Sequence, residues 1–493
     1  MLSLLHNMLN FLLFIPLAGI FVLLFIPSQN KVLLKQVSLF CASLTFIFSL
    51  VLWLFFDKSV GSFQYVSKIF WLPFFNINLH LGIDGISLFF LILTTLLIYI
   101  CLLASWNSIN HDVKYYLIFF LLMEFFLIGV FCVLDLLIFY IFFECVLIPM
   151  FFIIGIWGSR ERKIRAAYFF FFFTLFGSVL MLLAIIYIYY QTGTTNFEIL
   201  LTINFSKKEQ LILWVAFFLS FASKVPMIPF HVWLPEAHVE ASTTGSVILA
   251  GILLKLGTYG LLRFLFPLFP LACFYYSPLV YSLSVVGILY TSITAIRQSD
   301  FKRIIAYTSI AHMNLVIVGL FSFHMISIEG AILQSISHGF VSSALFLIIG
   351  VVYDRFHTRM VKYYGGLTHV MPMYIFLFLF FTLANIGFPG TSSFVGEFLI
   401  LLGSFNVNIP ITVLSSISMI LGGCYSLWLF NRVAYGNLKI QYLNNFFFDL
   451  SNREVYYFSP LFLCTLFFGV YPEVFLDYMH LSTQLIIEYI NIE

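Results

Sequence analysis

Seven ionisable residues stand inside long apolar runs: Glu124, Glu144, Lys224, Lys255, His312, His338 and Glu397. An Asp, Lys or Arg at the centre of a membrane helix costs about 2.5–3.5 kcal/mol on insertion scales. Such groups persist when they pair or face water, and they mark ion and proton paths. For any one of them a satisfied core residue is an equal reading. Seven together, two of them lysines beside helix breakers or glycines, favour the path.

Lys224 is the most informative. Pro226 and Pro229 follow it, and each removes a backbone N–H, so nearby carbonyls lose helical partners. Irregular backbone at membrane depth is tolerated only in protein or around water. Desolvation there favours the neutral amine, and a carboxylate such as Glu144, if close, favours the ammonium. Moving one partner would then release or capture a proton. A static buried salt bridge fits the same residues. Lys255 sits in Gly251-Ile252-Leu253-Leu254-Lys255-Leu256-Gly257, where the glycines leave room for water or a neighbouring helix. It could pass protons laterally. His312 and His338 suit relays, because imidazole titrates near neutral pH. Glu397 follows a Pro-Gly break and could be a terminal site. Glu124 reads either as a gate for the Glu144 pair or as a helix-packing partner.

Other signals are weaker. His231, Glu236, His238 and Glu240 look like metal ligands, but their spacing fits no standard zinc motif and Pro235 interrupts the register. A hydrogen-bonded loop or broken-helix end is preferred, with His231 a candidate modulator of the path. His324 and His338 have haem-ligand spacing, but His324 falls in a connection and no second pair exists. Neither G-x-G-x-x-G nor a Walker A sequence is present, and seven scattered Cys form no C-x-x-C pair. Asp84 reads as a helix cap.

The elements that must position these groups are membrane helices. Only 9% of the 493 residues are charged and 62% are hydrophobic, against about 25% charged in soluble domains. That excludes a water-soluble enzyme and a disordered chain, and a net charge of +2 gives no reason to expect nucleic acid. The apolar runs are continuous, which excludes a β-barrel. They predict an all-α polytopic protein of about fourteen transmembrane helices, since about 20 apolar residues cross the hydrocarbon. Odd-numbered connections carry most basic residues, including Lys31, Arg160, Arg162, Lys163, Lys302, Arg303 and Arg359. Even-numbered ones hold only Lys58, Lys68, Lys207, Lys208 and Arg263. The odd connections therefore face the cytoplasm or matrix. The run Ser159–Arg165 is most simply this topology signal, and a lipid-headgroup site is not needed to explain it. No basic leader precedes the first run, so that span is expected to be retained. Charged residues among apolar ones after Tyr471 suggest a surface-lying amphipathic helix.

Spans 4–8 and 9–13 form two five-span units, and an odd number of spans forces the second to lie inverted. The fourth span of each is the interrupted one, carrying Lys224 or Glu397; the second carries Glu144 or His312. Two inverted five-helix repeats with two broken helices are a transporter pattern. The expected organisation is helices 1–3 in 1–110, the first repeat in 111–264, the inverted repeat in 265–432, and the last span with the C-terminal helix in 433–493.

Leu81-Gly82-Ile83-Asp84-Gly85-Ile86-Ser87-Leu88, Phe143-Glu144 with Pro149-Met150, Lys224-Val225-Pro226, the stretch His231–Ala241, Ala311-His312-Met313-Asn314, and Pro389-Gly390-Thr391-Ser392-Ser393-Phe394 with Glu397 closely resemble the NADH dehydrogenase subunit 4 family. These are antiporter-like subunits in the membrane arm of respiratory complex I, and the resemblance covers nearly the whole chain. It implies fourteen helices, inverted repeats and a proton channel without redox centres. NAD, FMN, iron–sulfur clusters and ubiquinone would be held by other subunits. It implies a Glu144–Lys224 pair, a central Lys255, connecting His312 and His338, and Glu397 as exit-side acid, where sister subunits tend to have lysine. Ala241-Ser242-Thr243 departs from the family, which usually has proline in the middle. The expected partners are other membrane-arm subunits, neighbouring antiporter-like subunits among them, and membrane lipids; the expected location is the mitochondrial inner membrane, with a bacterial membrane the alternative. A sodium/proton antiporter subunit is the rival function. A haem oxidoreductase and a purely structural bundle are weaker rivals.

Overall fold

The computed structural model describes residues 8–72, 76–439 and 448–491. Helices α1 (Met8–Phe25), α2 (Lys31–Leu54), α3 (Gly85–Ser108), α4 (Val113–Cys132), α5 (Leu136–Trp157) and α6 (Lys163–Thr192) are each long and apolar enough to cross a membrane. So are α9 (Thr243–Leu268), α10 (Pro270–Ile296), α11 (Phe301–Phe321), α12 (Met325–Phe356) and α15 (Ile409–Ala434). Between them lie α7 (Lys207–Lys224), α8 (Trp233–Glu240), α13 (Pro372–Ile386) and α14 (Ser392–Val407). The chain ends in α16 (Asn452–Val470) and α17 (Glu473–Asn491), which turn by 71° from one to the other. By length and composition this gives eleven candidate spans, or twelve with the bent pair, among the described residues. The expected runs that fall short do so for local reasons. Lys207, Lys208, Glu209 and Lys224 lower the hydropathy of α7, and the long run 372–404 is cut into α13 and α14.

The chain is not purely helical. Strands β1 (Gln64–Leu72) and β2 (Ile77–Ile83) pair antiparallel in the connection before α3, with Lys68 opposite His80 and Ile69 opposite Leu79. A reading that weighed only runs of membrane-spanning length passed over this short alternating segment. Burial and the Lys68 ammonium push the His80 imidazole below its ordinary value, with the Glu198 carboxylate opposing.

Several helix starts are capped as their sequences dictate. Asp84 Oδ1 accepts from Ser87 N at 2.9 Å while Ser87 Oγ bonds the Asp84 N–H, a reciprocal capping box at α3. Asp135 caps α5 through the N–H groups of Leu137 and Ile138. The best-enclosed spans are α9 and α12, wholly buried over their apolar windows, followed by α11 at 94%. Exposed Phe21, Phe172, Phe176 and Leu463 lie on the outer helices and leave an apolar outer surface. The central helices are those that carry Lys255, His338 and His312.

Candidate functional site

Helix α7 ends at Lys224, and residues 225–232 are non-helical before α8 begins. The lysine sits in the last turn, where the helix dipole favours a cation. The Trp233 indole N–H donates to Ser223 O at 2.9 Å, satisfying a carbonyl freed by the break. Lys224 Nζ donates to Phe143 O at 2.8 Å, lies 3.6 Å from the Phe143 ring centroid and stands 4.0 Å from Glu144 Oε1. That Glu144 oxygen has no hydrogen-bond partner among the described residues. The two side chains are 3% and 15% exposed, and their 4.0 Å separation makes this a loose, largely enclosed ion pair.

The second break follows α13. Gly387 takes φ +80°, and Gly387 N and Phe388 N donate to Ala384 O and Leu383 O. This is a Schellman ending, and Pro389 prevents the helix from resuming. Helix α14 then carries Glu397 inward. Glu397 Oε1 accepts from Gln334 Nε2 at 3.0 Å and lies 3.1 Å from His312 Nδ1. The His312 and His338 ring centroids are 5.8 Å apart. His338 Nδ1 is 2.8 Å from Lys255 Nζ, which also donates to Ala250 O at 2.5 Å. Ala250 lies in a π-helical stretch, Leu249–Leu253, a rare geometry that recurs at functional positions. His312, Gln334, His338, Asn385 and Ser393 line a cavity of about 10 Å³, roughly the room one water needs.

The structure therefore brings together Glu144 with Lys224, Lys255 with His338, and His312 with Glu397. Gln334, missed in the sequence, ties Glu397 to α12; a glutamine in an apolar run was the available signal. Among the described residues no hydrogen bond joins Lys224 to Lys255. The helices meet there through Gly257, where a Cβ would lie 2.8 Å from Phe221 O. A Cβ on Gly251 would lie 2.5 Å from Leu97 Cδ1 and 2.7 Å from Ser343 Oγ, so both glycines flanking Lys255 admit neighbouring helices. Glu124 accepts from Thr45 Oγ1 of α2 at 2.5 Å, and no hydrogen bond or ion pair joins it to Glu144 or Lys224 among the described residues. His231 packs edge-on against Tyr290, 5.7 Å between centroids. Glu236 pairs with Arg303 at 2.7 Å. No group of three potential metal ligands occurs among the described residues.

Three basic residues assigned to connections are buried instead. Arg263 NH2 lies 2.5 Å from Asp84 Oδ1, so Asp84 is an ion-pair partner as well as a cap. Lys302 and Arg359 are each 2% exposed. Their positions at run ends hid this, because burial at a helix end depends on which neighbours fold over it.

Residues 133–430 match the family described as NADH:quinone oxidoreductase/Mrp antiporter, TM. NADH-ubiquinone oxidoreductase chain 4 of Arabidopsis thaliana is 57% identical over 478 residues, 97% of this chain and 96% of that one. The protein of the same name from Marchantia polymorpha is 55% identical, covering 98% of each chain. A chain in a structure of respiratory complex I from Thermus thermophilus with bound NADH superposes with a TM-score of 0.90. It is 28% identical, and the match covers 98% of this chain and 100% of that one. A chain of an archaeal membrane-bound sulfane sulfur reductase shares the fold, with a TM-score of 0.82 at 22% identity over 94% of this chain and 76% of that one. This chain belongs to the NADH-ubiquinone oxidoreductase chain 4 family.

Proposed function

We propose that this chain is a proton-translocating, antiporter-like subunit of the membrane arm of NADH:ubiquinone oxidoreductase. The observation that carries the reading is the set of buried or largely enclosed titratable pairs associated with the two broken helices and the helices between them: Glu144–Lys224, Lys255–His338 and His312–Glu397. Lys224 exchanges a proton as its separation from Glu144 changes. Lys255, His338 and His312 pass protons along the membrane plane, and Glu397 is the exit-side acid. Glu124 and His231 act on this path from its flank. NADH oxidation and quinone reduction take place in other subunits, which hold NAD, FMN, iron–sulfur clusters and ubiquinone. Their energy alters the Glu144–Lys224 contact.

The reading counts fourteen spans: the eleven long apolar helices together with α7, the α13–α14 pair and α16. Spans 4–8 and 9–13 then act as inverted repeats, each broken in its fourth span, with domain limits near 110, 264 and 432. Neighbouring antiporter-like subunits and lipid surround the bundle. The mitochondrial inner membrane fits the plant relatives' 55–57% identity against 28% for the Thermus chain. A sodium/proton antiporter subunit is the second reading, since the family description names the Mrp antiporter beside NADH:quinone oxidoreductase; the acid at Glu397 and the identity to chain 4 proteins favour the complex. The test is Lys224→Ala and Glu144→Ala in the assembled complex. Both lower proton pumping and coupled NADH:quinone turnover; an unchanged proton stoichiometry in both contradicts the reading.

A further inference from the structure

A second set of buried polar groups lies on the basic face, away from the pairs above. Lys302 is the second residue of α11, where its charge satisfies the positive-inside pattern. A lysine serving only that pattern sits in water or among headgroups. Lys302 instead is 2% exposed, and its Nζ donates to Ala241 O at 2.7 Å and Ser246 Oγ at 3.2 Å. Arg359, Asp300, Glu240 and Asp354 are the charged groups around it. No carboxylate is in salt-bridge contact with it among the described residues.

Three unsatisfied groups surround this lysine. His238 is fully buried and stacked 4.6 Å from the Phe346 ring, and neither of its ring nitrogens has a partner among the described residues. Glu240 is 2% exposed, and its Oε2 and Arg359 Nε likewise have no partner among the described residues. Buried polar atoms without protein partners are costly and are the places where water enters a fold. Ser246 Oγ donates to the His238 carbonyl at 3.1 Å, so Lys302 and His238 share a neighbour. Lys302 and Lys255 are the charged groups whose field reaches His238.

The cluster also reaches the surface. Residues Gly158–Lys163 rim an open depression of about 590 Å³. Exposed Ser159 accepts from Arg359 NH2 at 2.8 Å, and its N–H donates to Glu240 O at 3.0 Å. Arg359 in turn donates to Val239 O. Ser159 at the surface rim thus contacts Arg359 and the Glu240 backbone, and Ser246 links Lys302 to the His238 backbone.

We propose that Lys302 is a proton carrier in an inlet that runs from this depression past Glu240 to the His238 imidazole and feeds the Lys255–His338 pair. The inlet rests on the proton-translocating reading above. One proton moves per step: the Lys302 ammonium releases it toward a His238 ring nitrogen, and the neutral amine takes the next from the Glu240 side. Lysine suits this position because a buried ammonium can lose its proton, whereas arginine keeps its charge.

That difference supplies the test. Lys302→Arg and Lys302→Met are introduced into the assembled complex in sealed membranes, beside Lys224→Ala. Assembly is read on native gels and by NADH oxidation with a water-soluble acceptor. Both Lys302 variants are expected to lower pumping and coupled turnover by about tenfold, about 1.4 kcal/mol on the limiting barrier. A fixed-charge role predicts that Lys302→Arg restores both, and that result overturns the inlet. If Lys224→Ala fails to pump while Lys302→Arg pumps fully, the inlet alone falls. If both pump fully, the proton-translocating reading falls with it. Should neither Lys302 variant assemble, Glu240→Gln and His238→Gln decide the matter: parental pumping in both overturns the inlet, and a loss in either supports it.

Discussion

Replacing Glu144 by Gln keeps the side-chain shape and removes only the charge. In the structure that charge lies 4.0 Å from Lys224 Nζ. At an effective dielectric near 20 the two charges attract by about 4 kcal/mol. This energy is the span over which the switch can work, because separating the pair removes it. It corresponds to about 10³ in an equilibrium constant and bounds the loss from above. Lys224 keeps its other partners, the Phe143 carbonyl and ring, so the subunit should still assemble. Coupled NADH:quinone turnover and proton pumping in sealed membranes are expected to fall between about tenfold and about 10³-fold. Oxidation of NADH by a soluble acceptor is expected to stay at the parental rate. The double mutant Glu144→Gln/Lys224→Met sharpens the test. If the two residues act through one another, it loses no more than the worse single mutant, within about 0.5 kcal/mol. Additive losses, or parental pumping in Glu144→Gln, would refute the paired-switch reasoning.

Other perturbations follow from individual contacts. Gln334→Leu removes the donor to Glu397 Oε1; losing a hydrogen bond to a charged group, worth about 1.5–3 kcal/mol, should cut coupled turnover by about tenfold or more, and parental turnover would show that Gln334 is dispensable. Arg263→Met leaves Asp84 buried without its cation. Breaking a buried pair costs about 3–5 kcal/mol, so thermal inactivation of the assembled complex should occur at lower temperature. Gly85→Ala places a Cβ onto the Tyr478 carbonyl oxygen. The C-terminal helix should lift from α3 and become sensitive to protease at the Tyr471–Glu473 bend; an unchanged digestion pattern would contradict that contact.

The sequence made most of the site legible because membranes penalise charge. Glu144, Lys224, Lys255, His312, His338 and Glu397 stood out against apolar runs, and the structure pairs them within 2.8–4.0 Å. The helix breaks were legible from Pro226, Pro229 and Gly387-Phe388-Pro389-Gly390. The hairpin before α3 was not, since seven to nine alternating residues are too few to register against twenty-residue runs. Nor was the burial of Lys302, Arg359 and Arg263. A basic residue at a run end reads as a topology charge, and only the fold shows Ser159, Ser246 and Asp84 closing over these three. Glu124 was open between two roles, and its bond to Thr45 comes from α2, a helix that sequence spacing could not place beside α4.

Lys255 is the direct test of the central claim, because the proposed relay passes through it between the Glu144–Lys224 and His312–Glu397 pairs. Protons translocated per NADH oxidised would be measured in proteoliposomes containing the complex with Lys255→Met. The relay predicts a lower ratio than in the parent complex, with the soluble-acceptor rate unchanged. A parental ratio at parental turnover would mean that protons do not pass through Lys255 and His338, and the relay would be wrong.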